Sequence, residues 1–275
     1  MIFWRFWILP ILLIVGSALY ADEMVAPTEN FFYQLSPPVI SRFNPASLGP
    51  EIYRVYRARH GGTKQSGNAV GVRFTFDHIK RYCIYCGMQG FYGSGILHGY
   101  SASGSKIRSR LTDSLIEGSL GYTFQMKYSP YVALTPYLGC GYFREVNDFS
   151  PPSPLPVKFV TKYPYVAFGF LSSIYVTSYL TAGLNVRFKA PWETKCTVSN
   201  DPDFDKVKQL VTDKIQYRIE VPITYIGSLA WSSFEAALVP FYERRLYGAR
   251  ENYPFDFFET RFSIYGLNLQ LIYRF

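Results

Sequence analysis

The feature that most constrains this chain is an alternation of apolar and polar residues with a period of two, which returns over stretches of about ten residues. In 70–77, Val70, Val72, Phe74 and Phe76 alternate with Gly71, Arg73, Thr75 and Asp77. In 116–127, the apolar positions Ile116, Leu120, Tyr122, Phe124 and Met126 are interleaved with Glu117, Ser119, Gly121, Thr123, Gln125 and Lys127. The same design recurs in 180–189 and in 217–225. Successive residues of a strand point to opposite faces, so each stretch predicts a β-strand with one apolar and one polar side.

A soluble sandwich also alternates, so the length and spacing of the strands must decide. The predicted strands run to roughly nine to eleven residues, the length needed for a tilted crossing of a hydrocarbon layer. Connections alternate between short and long. Short ones fall near Lys80-Arg81, Tyr128-Pro130, Thr177-Tyr179 and Gly227-Leu229, and long ones near 60–69, 99–114, 146–162, 190–214 and 246–259. Counting between them predicts strands at 51–59, 70–79, 82–97, 115–127, 131–145, 163–176, 180–189, 215–226, 232–245 and 260–275. Inside a bilayer every backbone donor and acceptor needs a partner within the protein, so such a sheet must close on itself. The expected fold is all-β, a closed antiparallel up-and-down transmembrane β-barrel of about ten strands.

Both ends of the chain carry signals that agree with export. Residues 1–21 read as a signal peptide: Arg5, the apolar run Phe6 to Val15, then small residues at Gly16, Ser17, Ala18 and Ala21. Residues 22–50, with Pro27, Pro37, Pro38, Pro45 and Pro50, are expected to form a periplasmic lead-in or a partial plug, and 51–275 the barrel. At the carboxy terminus Leu267, Leu269, Leu271, Tyr273 and Phe275 share one face, and the sequence stops on Phe275. This closely resembles the terminal strand of bacterial outer-membrane β-barrel proteins. The resemblance implies a location in the bacterial outer membrane, contact with its lipid and lipopolysaccharide, and recognition of Tyr273 and Phe275 by the assembly machinery.

Composition fits that environment. Aromatic residues make up 19% of the chain, with 24 Tyr and 23 Phe, while charged residues are only 17%. Tyr82, Tyr92, Tyr128, Tyr131, Tyr179, Trp192, Trp231, Tyr247 and Tyr273 fall at strand ends and are expected to form interfacial girdles. The formal net charge of +8 is spread along the chain rather than gathered in a stripe, so a nucleic-acid partner is not expected. Anionic lipid headgroups suit it better.

If the apolar stripes face lipid, the charged residues in mid-strand face the lumen. Arg73, Asp77, Glu117, Lys127, Arg187, Lys189, Arg218, Glu220, Glu235, Glu243 and Arg245 are assigned there, with both signs present to pair. A barrel of this size is expected to be filled or occluded, with glycines such as Gly87, Gly118 and Gly141 relieving crowding.

Motifs for chemistry are weak. Cys83 and Cys86 stand three apart on a strand and so point to opposite faces, Cys140 lies on another strand, and Cys196 falls in an external loop. No intrachain disulfide follows, which leaves an intermolecular disulfide as a candidate contact. Asp201, Asp203 and Asp205 lack the glycine and terminal glutamate of a calcium loop. Ten-stranded omptin-type proteases need paired aspartates and an Asp–His couple, and no such pair flanks His60, His78 or His98. His98 with Ser101 or Ser103 is a generic pairing. No enzyme, cofactor or metal site is expected. The reading is a barrel with a structural or surface-interaction role, with a surface ligand as a candidate partner; the alternatives are a narrow channel for small solutes and, behind it, a rim hydrolase or acyltransferase.

Overall fold

The computed structural model describes residues 45–79, 82–126, 129–177, 179–202, 205–227, 234–250 and 257–274. The stretch expected to be a signal peptide, residues 22–44, Lys127, Tyr128, Trp231 and Phe275 lie outside them. The described residues form one antiparallel sheet. Its segments are β1 (Pro45–Arg59), β2 (Lys64–His78), β3 (Ile84–Tyr100), β4 (Lys106–Tyr122), β5 (Phe124–Met126), β6 (Ser129–Ser150), β7 (Lys158–Tyr175) and β8 (Leu180–Ala182). They continue as β9 (Asn185–Pro191), β10 (Lys195–Asp201), β11 (Asp205–Leu210), β12 (Gln216–Glu220), β13 (Ile223–Ile226), β14 (Phe234–Tyr247) and β15 (Thr260–Arg274).

Fifteen segments are more than the ten strands expected, and the pairing explains the difference. β4 and β5 follow one another along β6. β8, β9 and β10 pair in turn with the same strand, β7. β13, β12 and β11 run back along β8, β9 and β10. Fifteen segments therefore line up as ten staves. Hydrogen bonding passes round β1, β2, β3, β4, β6, β7, β9, β12, β14 and β15 and returns to β1, where Glu51 faces Asn268 and Val55 faces Ile264. That circuit closes the barrel and leaves no open edge at membrane depth.

The breaks have local causes. Pro222 has no N–H and separates β12 from β13, while its carbonyl accepts from Gly183 N, at the break between β8 and β9, at 2.9 Å. Glu193, at a φ of 50°, separates β9 from β10.

Two expectations about extent need correction. The first strand begins at Pro45, inside the expected lead-in. The long connections near 60–69, 99–114 and 146–162 are mostly paired strand, since β1 and β2, β3 and β4, and β6 and β7 extend well into them. Both faces of these extensions lie beyond the lipid, so the alternation fades there while the backbone still pairs. The β1–β2 turn is cut to four residues by Gly61 and Gly62, with φ of 93° and 101°. The expected loop at 190–214 contains the β10–β11 hairpin, whose outer strand β11 pairs with β10 but not with β14.

The apolar stripes face outward. Leu48, Ile52, Val70, Val72, Ile84, Ile116, Leu120, Leu138, Leu269 and Leu271 are all exposed. From Leu48 to Tyr56 the belt on β1 covers about 26 Å of strand, or about 20 Å of membrane depth at the usual barrel tilt. Tyr82, Tyr92, Tyr179, Trp192 and Tyr273 are exposed at its margins. Tyr247 is not in that girdle: it is buried inside the barrel.

Candidate functional site

The polar stripes face in, and the described interior is a web of charge and aromatic rings. At its middle lies Arg218 on β12, with a side chain that is 2% exposed. Its guanidinium spans Glu51, donating Nη1 to Oε1 at 3.2 Å and Nη2 to Oε2 at 3.0 Å. It also donates Nε to Glu220 at 2.6 Å and Nη1 to Glu243 at 3.2 Å, and stacks 3.7 Å from the Phe241 ring centre.

From Glu51 the web runs two ways. In one direction Arg73 binds Glu51 through Nε at 2.7 Å and Gln89 through Nη1 at 3.0 Å. Gln89 donates to Glu117 at 2.6 Å, and Arg187 donates to Gln89 at 3.0 Å and to the Tyr137 hydroxyl at 3.0 Å. Tyr165 donates to the other oxygen of Glu117 at 2.8 Å. In the other direction Glu243 accepts from Lys189 at 3.2 Å and from Arg245 Nε at 2.9 Å, and Arg245 reaches Asp113 at 2.6 Å. Nine of the ten staves contribute: β1, β2, β3, β4, β6, β7, β9, β12 and β14. Each carboxylate named lies within ion-pair distance of at least one cation, Glu117 through Arg187 Nε at 3.3 Å, so the desolvation cost of these buried charges is offset by pairing.

Of the interior residues expected from sequence, Arg73, Glu117, Arg187, Lys189, Arg218, Glu220, Glu243 and Arg245 meet in this web. Asp77 sits nearer the terminal end and accepts from Tyr85 at 2.6 Å. Glu235 is buried near that end as well. Tyr273 faces outward.

Glu51, Gln89, Asp113 and Glu145 also face the interior and were not expected. Glu51 was obscured because β1 alternates poorly: its outer face mixes Ile52 and Tyr56 with Arg54, and its inner face mixes Glu51 and Arg57 with Tyr53 and Val55. The signal was the tyrosine–valine pair at odd positions, in phase with Glu51.

Space between the charges is filled by rings lying on small residues. A Cβ at Gly141 would come within 2.5 Å of the Tyr165 ring, and one at Gly87 within 2.1 Å of the Tyr85 hydroxyl. Gly141 lets the inward Tyr165 of β7 lie flat across β6, and Gly87 lets Tyr85 lie along its own strand, β3. Gly118 does not share that role, because nothing stands within 4 Å of its Cβ position. Phe143, Tyr163, Tyr247 and Phe262 pack above the web. Tyr247 donates to Glu145 at 2.8 Å and Tyr163 to Gln216 at 2.9 Å.

At the end away from the chain termini, Arg57 and Arg59 point inward from β1. Arg57 donates to Gln65 at 2.7 Å and lies against the rings of Phe149 and Phe262. Arg59 lies 5.1 Å from the centre of Phe257, 5.6 Å from Phe258 and 5.8 Å from Phe159. The inner face of the β10–β11 hairpin packs here through Cys196, Val198, Val207 and Val211. Cys196, expected in a loop, is instead fully buried on β10; Thr161 donates to its Sγ at 3.9 Å, and burial pushes its thiol up to about 12.

On the outer wall at the same end, register sets cations side by side. Arg144 on β6 stands opposite Lys162 on β7, which stands opposite Lys195 on β10. One pleat toward the membrane the exposed residues are Tyr142 and Trp192.

Among the described residues His98 and the serines at the rim do not converge on a carboxylate. His98 faces outward opposite Ser66 and Arg108. Ser101, Ser103 and Ser105 bond one another, at 2.8 and 3.3 Å. Among the described residues no group of three His, Cys, Asp or Glu side chains is placed to hold a metal ion.

No protein-family model and no curated protein matches the sequence. The solved structures it is similar to include the outer membrane protease OmpT from Escherichia coli, at a TM-score of 0.51 and 12% identity over 86% of this chain and 98% of that one. They also include the translocator domain of the autotransporter NalP from Neisseria meningitidis, at 0.49 and 8% over 94% of this chain and 98% of that one. The likeness to OmpT is one of fold. The fold is that of the bacterial outer-membrane β-barrels, and with the exposed apolar belt it places the chain in that membrane.

Proposed function

We propose that this chain is a sealed outer-membrane barrel that serves the envelope structurally and presents a binding surface outside the cell, rather than conducting solutes. The observation that carries this reading is the connected web around Arg218. Residues from nine staves meet across the lumen, and aromatic rings fill the layer above. A conducting barrel keeps its charges on the wall and water on the axis, and usually has more strands. Here opposite walls bond directly, Arg245 on β14 to Asp113 on β4, and Arg218 reaches past β14 and β15 to Glu51 on β1.

The outer wall supports a lipid partner. Like charges directly opposite one another in a sheet are destabilising, and Arg144, Lys162 and Lys195 form such a row, which the Lys195–Glu193 ion pair at 3.3 Å relieves only at one end. An anionic group above the aromatic margin would relieve that repulsion, and the phosphates of lipopolysaccharide lie at that depth. Tyr273 and Phe275 act in this reading as the assembly signal.

A protease reading draws on OmpT alone, and the fold does not transfer the activity. Asp113 is held by Arg245 and Glu145 by Tyr247.

Liposome swelling tests the seal. Vesicles carrying the refolded barrel should swell in small sugars no faster than empty vesicles. Swelling that falls with increasing sugar size would overturn the reading in favour of a narrow channel.

A further inference from the structure

Above the sealed web, the outer end of the lumen holds polar groups that the protein itself leaves without partners. Asn147 on β6 is 1% exposed, and neither its Oδ1 nor its Nδ2 has a hydrogen-bond partner. Gln209 on β11 is 6% exposed, and neither end of its amide has one. The Nε atoms of Arg57 and Arg59 are buried and unpartnered as well. Buried polar atoms are nearly always satisfied, so several in one place point to a missing partner.

These groups share one neighbourhood. Asn147 stands opposite Phe159, whose ring packs on Arg59. It also sits two residues from Phe149, whose ring packs on Arg57. Gln209 stands opposite Cys196 in the cluster that includes Phe257, the other ring on Arg59. The seam therefore lies between the main aromatic core and the inner face of the β10–β11 hairpin.

Its charge is unbalanced. Arg57 and Arg59 are two apart on one strand face and repel each other. Arg57 donates to the neutral Gln65, and among the described residues no carboxylate lies within ion-pair distance of Arg59. The nearby Glu145 is engaged by Tyr247 at 2.8 Å and by Arg245 at 3.8 Å. Ring faces soften an unpaired guanidinium but do not neutralise it.

We propose that this seam is a binding site for a small hydroxylated carboxylate arriving from outside the cell. The ligand's carboxylate would accept from the guanidinium of Arg59 and from the free Nε of Arg57, the planar fork-to-carboxylate match for which arginine is suited. Asn147 and Gln209 each offer a donor and an acceptor; a ligand hydroxyl beside the carboxylate would donate to one amide oxygen and accept from the other amide's N–H. The proposal deepens the surface-binding reading and rests on it only in that the ligand needs no path through the web. Swelling reads the seal and ligand binding reads the seam, so either can fail alone.

The test uses the whole mature barrel refolded in detergent micelles, with lactate, gluconate and glucuronate as probes and glucose and inorganic phosphate as controls. Titration calorimetry should show saturable binding of at least one carboxylate at up to millimolar concentration, and none of glucose. Phosphate binding as tightly as every carboxylate would overturn the choice of a carboxylate. Arg59→Gln should reduce the affinity at least tenfold. It should also unfold at a higher temperature than the ligand-free parent, because an uncompensated charge has been removed from a buried seam. A purely structural Arg59 would instead make that variant less stable. Should the variant fail to fold, the contrast between carboxylate and glucose on the parent still decides. No saturable carboxylate binding would mean that the seam holds water alone.

Discussion

At the scale of single residues, the interior obeys the rule for buried ions: paired they are tolerated, unpaired they are costly. Arg218 contacts Glu51, Glu220 and Glu243, so its removal leaves three carboxylates short of a cation. Arg218→Met should destabilise the folded barrel by about 3–5 kcal/mol, read as a lower urea midpoint in a reversible detergent or vesicle system. Arg54, exposed on the outer wall with its guanidinium 5.2 Å from the Tyr56 ring centre, should matter far less, and Arg54→Met should move the midpoint by less than about 1 kcal/mol. Cys196 offers a chemical readout. Its thiol, pushed up to about 12 by burial, should resist a water-soluble alkylating agent at pH 8 in the folded protein and react fully once the barrel is unfolded. Rapid labelling of Cys196 in the native state would show that the β10–β11 hairpin does not cover it.

At the scale of elements, the sequence made the lipid-facing stretches plain and the extensions beyond them obscure, for one reason. In this chain the apolar–polar alternation is clear where one face meets lipid and the other the lumen. Val70, Val72 and Phe74 announce β2 within the membrane, while Lys64 to Asn68 of the same strand carry no such pattern and read as loop. The broken staves hid for a related reason, since Pro222 and Glu193 interrupt pairing without interrupting the overall path. The charged interior was mostly legible, because a mid-strand Arg or Glu opposite an apolar stripe has one place to go. Glu51 was not, because β1 mixes charge and apolar residues on both faces. The seam at Arg59 was beyond sequence reasoning altogether: it depends on β1, β6, β7 and β11 meeting, and nothing local signals that. The hairpin itself is testable as an element. Replacing 196–209 with a short turn should leave a barrel that still migrates faster unboiled than boiled, since β10 and β11 lie outside the circuit of pairing that closes it. It should also abolish carboxylate binding.

At the scale of the whole molecule, the architecture inverts the usual arrangement. Apolar side chains coat the outside and charge fills the middle, and closure of β15 onto β1 is what makes that arrangement stable in lipid. Ten staves enclose a lumen narrow enough for side chains from opposite walls to touch, and the web from Glu51 through Arg218 to Asp113 uses that proximity. Strand number and lumen charge thus belong to one explanation: the barrel is small enough to be sealed by its own ion pairs. Single-channel recording tests this claim most directly. The refolded parent in a planar lipid bilayer should show no discrete conductance steps, whereas Glu51→Ala combined with Arg218→Ala, which clears the middle of the web, should show small ones. Steps of the same size in the parent and the double variant would contradict a lumen sealed by these residues.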